Sequence, residues 1–575
     1  MLLGRSWFAV ACVASTILSP STAAQVTDAT RESASRQNEA DIIVQARTRK
    51  RTGWKRAETD HIIVLSDGSE SELIRVTSDL ERLHVLMSRL YGTAGQTETS
   101  PKLEVTLYDS RDDIKRLGLR NLRSEEGPFA KDFAGQRYYD PRTDGDVIAI
   151  ARSDQIVHLD TSISHDRFCE GLAQNGVDCI GKKEPYLPSV VRSWQSILYS
   201  AFAQHFILTN APRPYPRWYL DGIGALFSSM EVQGDGSLDY AKPPVGYRQI
   251  FYAYGDVNGR DILTGSYLSA PSRRMVWTPY HAWLITHFFV FSDLKPELGA
   301  QFRQYMAAIG RGASPEKAAL VFRDMTRLSR QIGGYAERGK SFSTAKPLEE
   351  ASQPSPLVTM LSLAEVAVLD ANLKLSDLPP ILALSEESIG NAPTQWVDQA
   401  RNEVIQLPFN AAAMLVIVEA ECRNARLREC LTDAERVLAQ SPENARALAW
   451  KGVALAEQAL HSPQGQRANA LAVARETIDR ALQLDPNDPV AAIAYFQSFT
   501  KVGEPVPEPA MVSLAKIATS VPAAPRPRLL LGKELLRQGN TELAQKLLWP
   551  VIYGAYDSPE SEIAKRLLAI SANSN

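Results

Sequence analysis

The hydrophobic pattern of the chain changes character three times, and each change predicts a different set of elements. From Asp60 onward, HIIVLSD reads as a strand. In ELIRVTSDLERLHVLMSRLYG, residues Leu73, Val76, Leu80, Leu83, Leu86 and Leu90 recur at helical spacing, which predicts an amphipathic helix ended by Gly92. LEVTLYDS alternates as a strand, DDIKRLG reads as a short helix, and GDVIAIA and QIVHLDTS read as two further strands. Residues 60 to about 165 are therefore expected to form an α+β unit with a mostly antiparallel sheet. Residues 186–342 are helix-rich. SVVRSWQSILYSAFAQHFIL carries apolar residues at 190/191, 194, 197/198, 201/202 and 206, a wide stripe, and YHAWLITHFFVF is apolar nearly all round, as an interior helix is. DGIGALFSSMEV lies between them.

A Ser/Pro-rich break, STAKPLEEASQPSP, sets a linker over 343–356. Beyond it, residues 357–575 are almost wholly helical and rich in Ala and Leu. Pro442, Pro486 and Pro522 stand 44 and 36 residues apart, around the ~34-residue unit of tetratricopeptide helix pairs with insertions, and Gly452 and Gly532 hold comparable places in their helices. The expected fold class is thus an α+β N-terminal half, with a mixed or antiparallel sheet and then a helical core, joined to an all-α tetratricopeptide-like C-terminal half.

The N-terminus departs from both patterns. Arg5, an apolar run from Trp7 to Leu18 and the small residues Ser21 to Ala24 have the layout of a secretory signal peptide, cleaved near Ala24. Cys12 raises a lipoprotein alternative, but the apolar run continues past it. Residues 25–57 are polar and basic, the composition of a disordered linker; within it Ile42-Ile43-Val44 is a short apolar run able to add to a sheet edge. No later stretch reaches the ~20 apolar residues of a spanning helix. The expectation is an exported, periplasmic or extracellular chain with no integral membrane span. A formal net charge of −3 over 575 residues gives no global field for nucleic acid. Cys169 with Cys179 and Cys422 with Cys430 form two close pairs, disulfide candidates suited to an oxidising compartment, with free thiols as the alternative.

The helical core should carry the chemistry. A zinc peptidase places two histidines four apart on one helix, with a glutamate beside the first, as HExxH, and takes a third ligand from the next helix. Here the eight histidines are His61, His84, His158, His165, His205, His281, His287 and His461, and no two are four apart. Yet the succession of the LERL helix, LEVTLYDS, VIAIA, a helix and PRWYLDGIGALF resembles the DUF1570, or peptidase-MA-like, group of gluzincin-related exported proteins, over roughly residues 58–342. Members often carry a core resembling HEYAHHF followed by PxWLxEGLA, and some carry tetratricopeptide repeats. That resemblance implies a zinc-peptidase scaffold in which SAFAQHF stands for HEYAHHF. Ser200 then takes the place of the first ligand, Ala201 that of the catalytic glutamate, Gln204 that of the second ligand and Asp221 that of the third, one methylene short. His205 matches an extra histidine that points about 100° away from its neighbour.

Zinc takes about three protein ligands at ~2.0–2.2 Å. Ser and Gln are poor ligands beside imidazole, and Ala cannot act as a base. The expectation is a non-catalytic scaffold that needs no cofactor and binds a peptide or protein partner of the cell envelope. The alternative is an active metallopeptidase with noncanonical ligands, such as zinc on His205 and Asp221; a serine nucleophile at Ser200 lacks the GxSxG turn. A third reading is a purely architectural protein. His281 and His287, six apart, sit on nearly opposite helix faces and read as core histidines. Trp218, Tyr219, Trp277, Tyr280 and Trp283 read either as packing or, with His205 and Asp221, as the lining of a surviving peptide cleft.

Overall fold

The computed structural model describes residues 53–93, 100–119, 137–158, 189–247, 259–269, 278–336, 342–346, 354–382, 395–552 and 558–573. Residues 1–52, where a signal peptide and a linker are expected, and Cys169, Cys179, His165 and Trp277 lie outside them. Helix α1 (Glu70–Tyr91) forms as the periodicity predicts. Ser69 caps it by accepting from the Glu72 amide, and Gly92 ends it at φ 72°. Its apolar stripe, Leu73 to Met87, is buried on a six-stranded sheet. The strands are β1 (Lys55–Glu58), β2 (Ile62–Ser66), β3 (Leu103–Tyr108), β4 (Arg137–Asp140), β5 (Val147–Ala151) and β11 (Leu357–Met360), in the order β11-β1-β2-β3-β5-β4.

The sheet is mixed, one of the two forms expected, with antiparallel pairs at its margins and a parallel centre that the mostly antiparallel reading did not include. The β2–β3 and β3–β5 pairs are parallel, while β1–β2, β1–β11 and β4–β5 are antiparallel. The cause is connectivity: α1 crosses from β2 to β3, and a helical crossover delivers parallel neighbours. QIVHLDTS gives β6 (Gln155–His158), which leaves the main sheet to pair with β7 (Ser189–Arg192). A three-stranded sheet, β10-β9-β8, joins β10 (Ser343–Ala345), β9 (Leu238–Tyr240) and β8 (Glu231–Val232). Two expected boundaries move as a result. The linker ending at residue 57 gives way at Trp54, which is 2% exposed, and at β1. The linker starting at 343 opens with a paired strand.

The helical core comprises α3 (Trp194–Asn210), α4 (Arg217–Ser228), α5 (Gly259–Leu263), α6 (Thr278–Phe291), α7 (Pro296–Gly310), α8 (Pro315–Ala319) and α9 (Met325–Ala336), after a short α2 (Arg111–Lys115) above β3. As its composition predicts, α6 is interior: Ala282 through Ile285 and His287 are fully buried. The remaining helices are α10 (Leu363–Lys374), α11 (Gln395–Val404), α12 (Ala411–Arg423), α13 (Leu427–Gln440), α14 (Ala445–Leu460), α15 (Gln464–Leu484), α16 (Pro489–Thr500), α17 (Glu508–Ser520), α18 (Pro525–Arg537), α19 (Thr541–Ile552) and α20 (Pro559–Asn573). They stack as antiparallel pairs. The 21-residue α15 accounts for the longer first period. Gly452 and Gly532 do equivalent work: a Cβ on either would lie 2.4 Å from Ile478 or 2.6 Å from Leu548 on the partner helix.

β11 and α10 join the halves. Residues Val366, Leu369 and Leu373 of α10 pack with Leu65, Tyr108, Tyr138, Val147 and Ala149 on the sheet face opposite α1. Ala364, Val368 and Ala371 pack with the helix pairs instead. Polar groups complete the joint: Tyr108 Oη donates to Asp370 at 2.9 Å, and Arg142 donates to Asn372 Oδ1 and O at 3.0 and 2.8 Å.

Cys422 and Cys430 are joined as a disulfide between α12 and α13, with Cα atoms 5.2 Å apart. Beside it, Glu421 is fully buried. Its carboxyl is pushed up to about 8 by burial first and then by the nearby Asp433, even though Arg401 Nε lies 3.2 Å away; Arg401 is shared with Asp433 at 2.6 Å.

Two outcomes follow. Gly452→Val forces α14 off α15 and should cost about 1–3 kcal/mol, read as a shift in the denaturant midpoint. Between its unfolded value of 4.5 and about 8, Glu421 binds a proton in the folded chain that the unfolded chain lacks, so stability falls as pH rises through that window. Thermal melts from pH 5 to 8 should show this component in the natural protein and lose it in Glu421→Gln.

Candidate functional site

Helix α3 starts at the N-cap Ser193, whose side chain accepts from the Ser196 amide, and ends before the proline-rich turn of Pro212, Pro214 and Pro216. Proline at 216 starts α4 without a side-chain cap. The two helices pack face to face, and α6 covers α4 from the other side. Ser200 and Gln204, one turn apart on α3, face Gly224 of α4: a Cβ there would lie 2.7 Å from Ser200 Oγ and 2.9 Å from Gln204 Nε2. Gln204, 5% exposed, donates from Nε2 to Leu220 O and to Asp221 Oδ1, both at 3.3 Å. Its Oε1 accepts from Arg137 Nη2 at 3.2 Å. Arg217 Nε, one turn before Asp221, donates to both carboxylate oxygens at 3.3 and 3.2 Å. Ser200, Gln204 and Asp221 thus converge on one helix crossing, while Ala201 is buried in the core beside them.

The other expected cleft residues do not join this group. His205 turns toward the sheet: its Nδ1 lies 2.8 Å from Asp146 Oδ2, an oxygen that also accepts from Tyr139 Oη at 2.7 Å. It is a joint between α3 and β5, not a neighbour of Asp221 in an open cleft. Trp218 is 1% exposed and donates to Tyr305 Oη at 3.0 Å, which donates on to Leu263 O. Tyr219 stacks on Tyr215 at 5.5 Å and meets Tyr91 Oη at 3.4 Å; burial holds the Tyr219 hydroxyl above its ordinary value. Tyr280, also buried, donates to Val245 O at 3.1 Å. Trp283 is fully buried against Tyr247 and His287. Packing, not a shared lining, accounts for these aromatics. His281 and His287 are interior as expected; burial drives the His281 imidazole down to about 3, so it is neutral at physiological pH, and His287 Nδ1 pairs with Tyr335 Oη at 2.6 Å.

The residues at the crossing do not fit zinc. Asp221 is the one carboxylate there, and it is ion-paired to Arg217. The Gln204 amide is oriented by donors and acceptors on both sides. Among the described residues, no group of three His, Cys, Asp or Glu side chains is disposed to hold a metal ion. The crossing can hold hydrogen bonds and a neutralised charge pair; it offers neither a free base nor an imidazole.

Arg137, Arg217 and Asp146 are the site residues that the sequence pattern leaves out. Arg217 was accessible through its i,i+4 spacing to Asp221. Arg137 and Asp146 depend on β4 and the start of β5, and so on a pairing that RYYD alone does not announce.

No family model matches the chain, and no curated protein matches it. Among solved structures, a thermophilic TPR protein from Thermus thermophilus is similar to 30% of this chain and 92% of its own length, at 15% identity and a TM-score of 0.27.

Gln204→Ala should leave Arg137 and Asp221 each short of a buried partner. The expected cost is about 1–3 kcal/mol of stability, measured by urea unfolding.

Proposed function

We propose that this is an exported, non-catalytic binding protein, in which a degenerate peptidase-MA-like core anchors a tetratricopeptide-like arm that holds a peptide or protein partner. One observation supports the non-catalytic part: the three positions where ligands would stand meet at one crossing, and two of them are engaged by arginines, Gln204 by Arg137 and Asp221 by Arg217. A carboxylate neutralised by a guanidinium one turn away is a poor Lewis base, and the Gln204 Oε1, the amide atom able to coordinate, already accepts from Arg137. Stacked helix pairs support the binding part, since such arrays present extended faces that suit protein partners. No helix among the described residues is long and apolar enough to cross a membrane.

Elemental analysis of the untagged protein prepared with zinc tests the reading. The expected result is well below one metal per chain. The variant Ser200→His, Ala201→Glu, Gln204→His and Asp221→Glu should take up about one zinc, because those positions converge. One zinc on the natural protein would sink the non-catalytic reading. A quadruple variant that folds yet stays metal-free would sink the assignment of these positions as former ligands.

A further inference from the structure

Strand β11 (Leu357–Met360) is the last strand of the six-stranded sheet, and it is built unlike the strand at the other edge. There, β4 buries three of its four residues and carries Arg137 and Asp140. Charge on an edge strand discourages pairing with another chain. β11 lacks that protection: residues 351–364 carry no charge. Leu357 and Met360 are 68% and 62% exposed, and Leu363, at the start of α10, is exposed as well. Phe409, also exposed, is held at the same end of the strand, because Asn410 Nδ2 donates to Ser362 Oγ at 3.1 Å. Exposed apolar residues scattered singly need no explanation, but here they gather at an open sheet edge.

The ladder shows which main-chain groups are open. Leu361 N–H donates to Trp54 O at 3.0 Å, and Met360 stands opposite Lys55. An antiparallel ladder alternates, so the N–H and C=O of Leu357, Thr359 and Leu361 turn toward β1, and those of Val358 and Met360 turn outward. Among the described residues no further strand meets them. For a second β11 laid antiparallel on this edge, the outward groups leave three registers about a two-fold axis. Centring on Val358 brings Pro356, which has no N–H, opposite Met360. Centring on Met360 brings Val358 opposite Ser362, whose N–H already donates to Glu365 Oε2 at 2.8 Å. Centring on Thr359 brings Val358 opposite Met360 in both directions, and every outward N–H and C=O is paired. It also sets Thr359 against Thr359 and Leu357 against Leu361, so apolar side chains meet apolar ones and no like charges are opposed.

We propose that β11 pairs with β11 of a second copy of this chain, antiparallel about a two-fold axis at Thr359, so that the two sheets run on as one. The interface is isologous: the same patch serves both copies, and the strand complements itself. That self-complementarity, together with the absence of charge, selects a second copy as the occupant. A four-residue strand flanked by Leu363 and Phe409 buries less than the ~1,600 Å² of a standard interface, so the dimer is reversible. The association uses the sheet edge and does not depend on what the arm holds.

Sedimentation velocity of the full chain from Gln25, across roughly 1–100 μM, tests this. The natural protein should pass from monomer to dimer over that range. Thr359 is exposed, so its substitution spares the core. Thr359→Lys sets two like charges against each other on the axis and should weaken the dimer about tenfold or more, and Thr359→Glu should do the same. An equimolar mixture of the two variants should dimerise again, because Lys then meets Glu. A natural protein that stays monomeric at about 100 μM overturns the second copy as occupant and leaves the edge to a strand of another chain. A dimer that Thr359→Lys leaves intact overturns β11 as its interface. A dimer that each variant breaks and the mixture does not restore overturns the register at Thr359.

Discussion

Helix α10 buries two opposite faces, and the organisation of the molecule depends on that constraint. Ala364, Val368 and Ala371 recur at helical spacing and enter the core of the helix pairs. Val366, Leu369 and Leu373 form a second stripe, displaced by two residues, and enter the core beneath the sheet. A displacement of two residues is about 200° around a helix, so the stripes point apart. Burying each large side chain is worth about 1.5–3 kcal/mol, and neither core can release the helix without exposing its own face. Strand β11, just before α10, pairs with β1 and fixes the helix to the sheet edge. Arg142 donates to the Asn372 carbonyl in the last turn of α10, where a cation is favoured. Arg446 extends the joint by reaching Asp144 and Asp488.

At the helix crossing of α3 and α4 the polar groups serve packing. Gln204 at the crossing is buried, so each of its amide atoms needs a partner, and Arg137, Leu220 and Asp221 supply them. Asp221 in turn is balanced by Arg217. One position along, His205 closes a separate set with Asp146 and Tyr139 that ties α3 to the sheet. The crossing is thus closed on both sides by interactions that hold helices together. Along the arm, Arg423 ties the chain after α10 to α12 by donating to the Pro379 and Leu378 carbonyls.

What the sequence determined by itself is the set of long elements. The stripe of five leucines and one valine on α1, the apolar α6, and the paired helices with Gly452 and Gly532 all follow from 3.6-residue periodicity, which is local and repeated many times; that Asp221 meets Ser200 and Gln204 was implied only by the resemblance to a zinc-peptidase core. The tertiary structure decided the rest. Strands β1, β4 and β11 have four residues each, too few for a pattern to stand out, and they exist because neighbours pair with them. The parallel centre of the sheet, the two-sided burial of α10 and the partners of Gln204 and His205 join residues far apart in sequence. Trp218, Tyr219 and Tyr280 share a composition that suits a cleft or a core equally well, and only the packing of each helix buried Trp218 and Tyr280 in the interior and left Tyr219 half-buried at its edge.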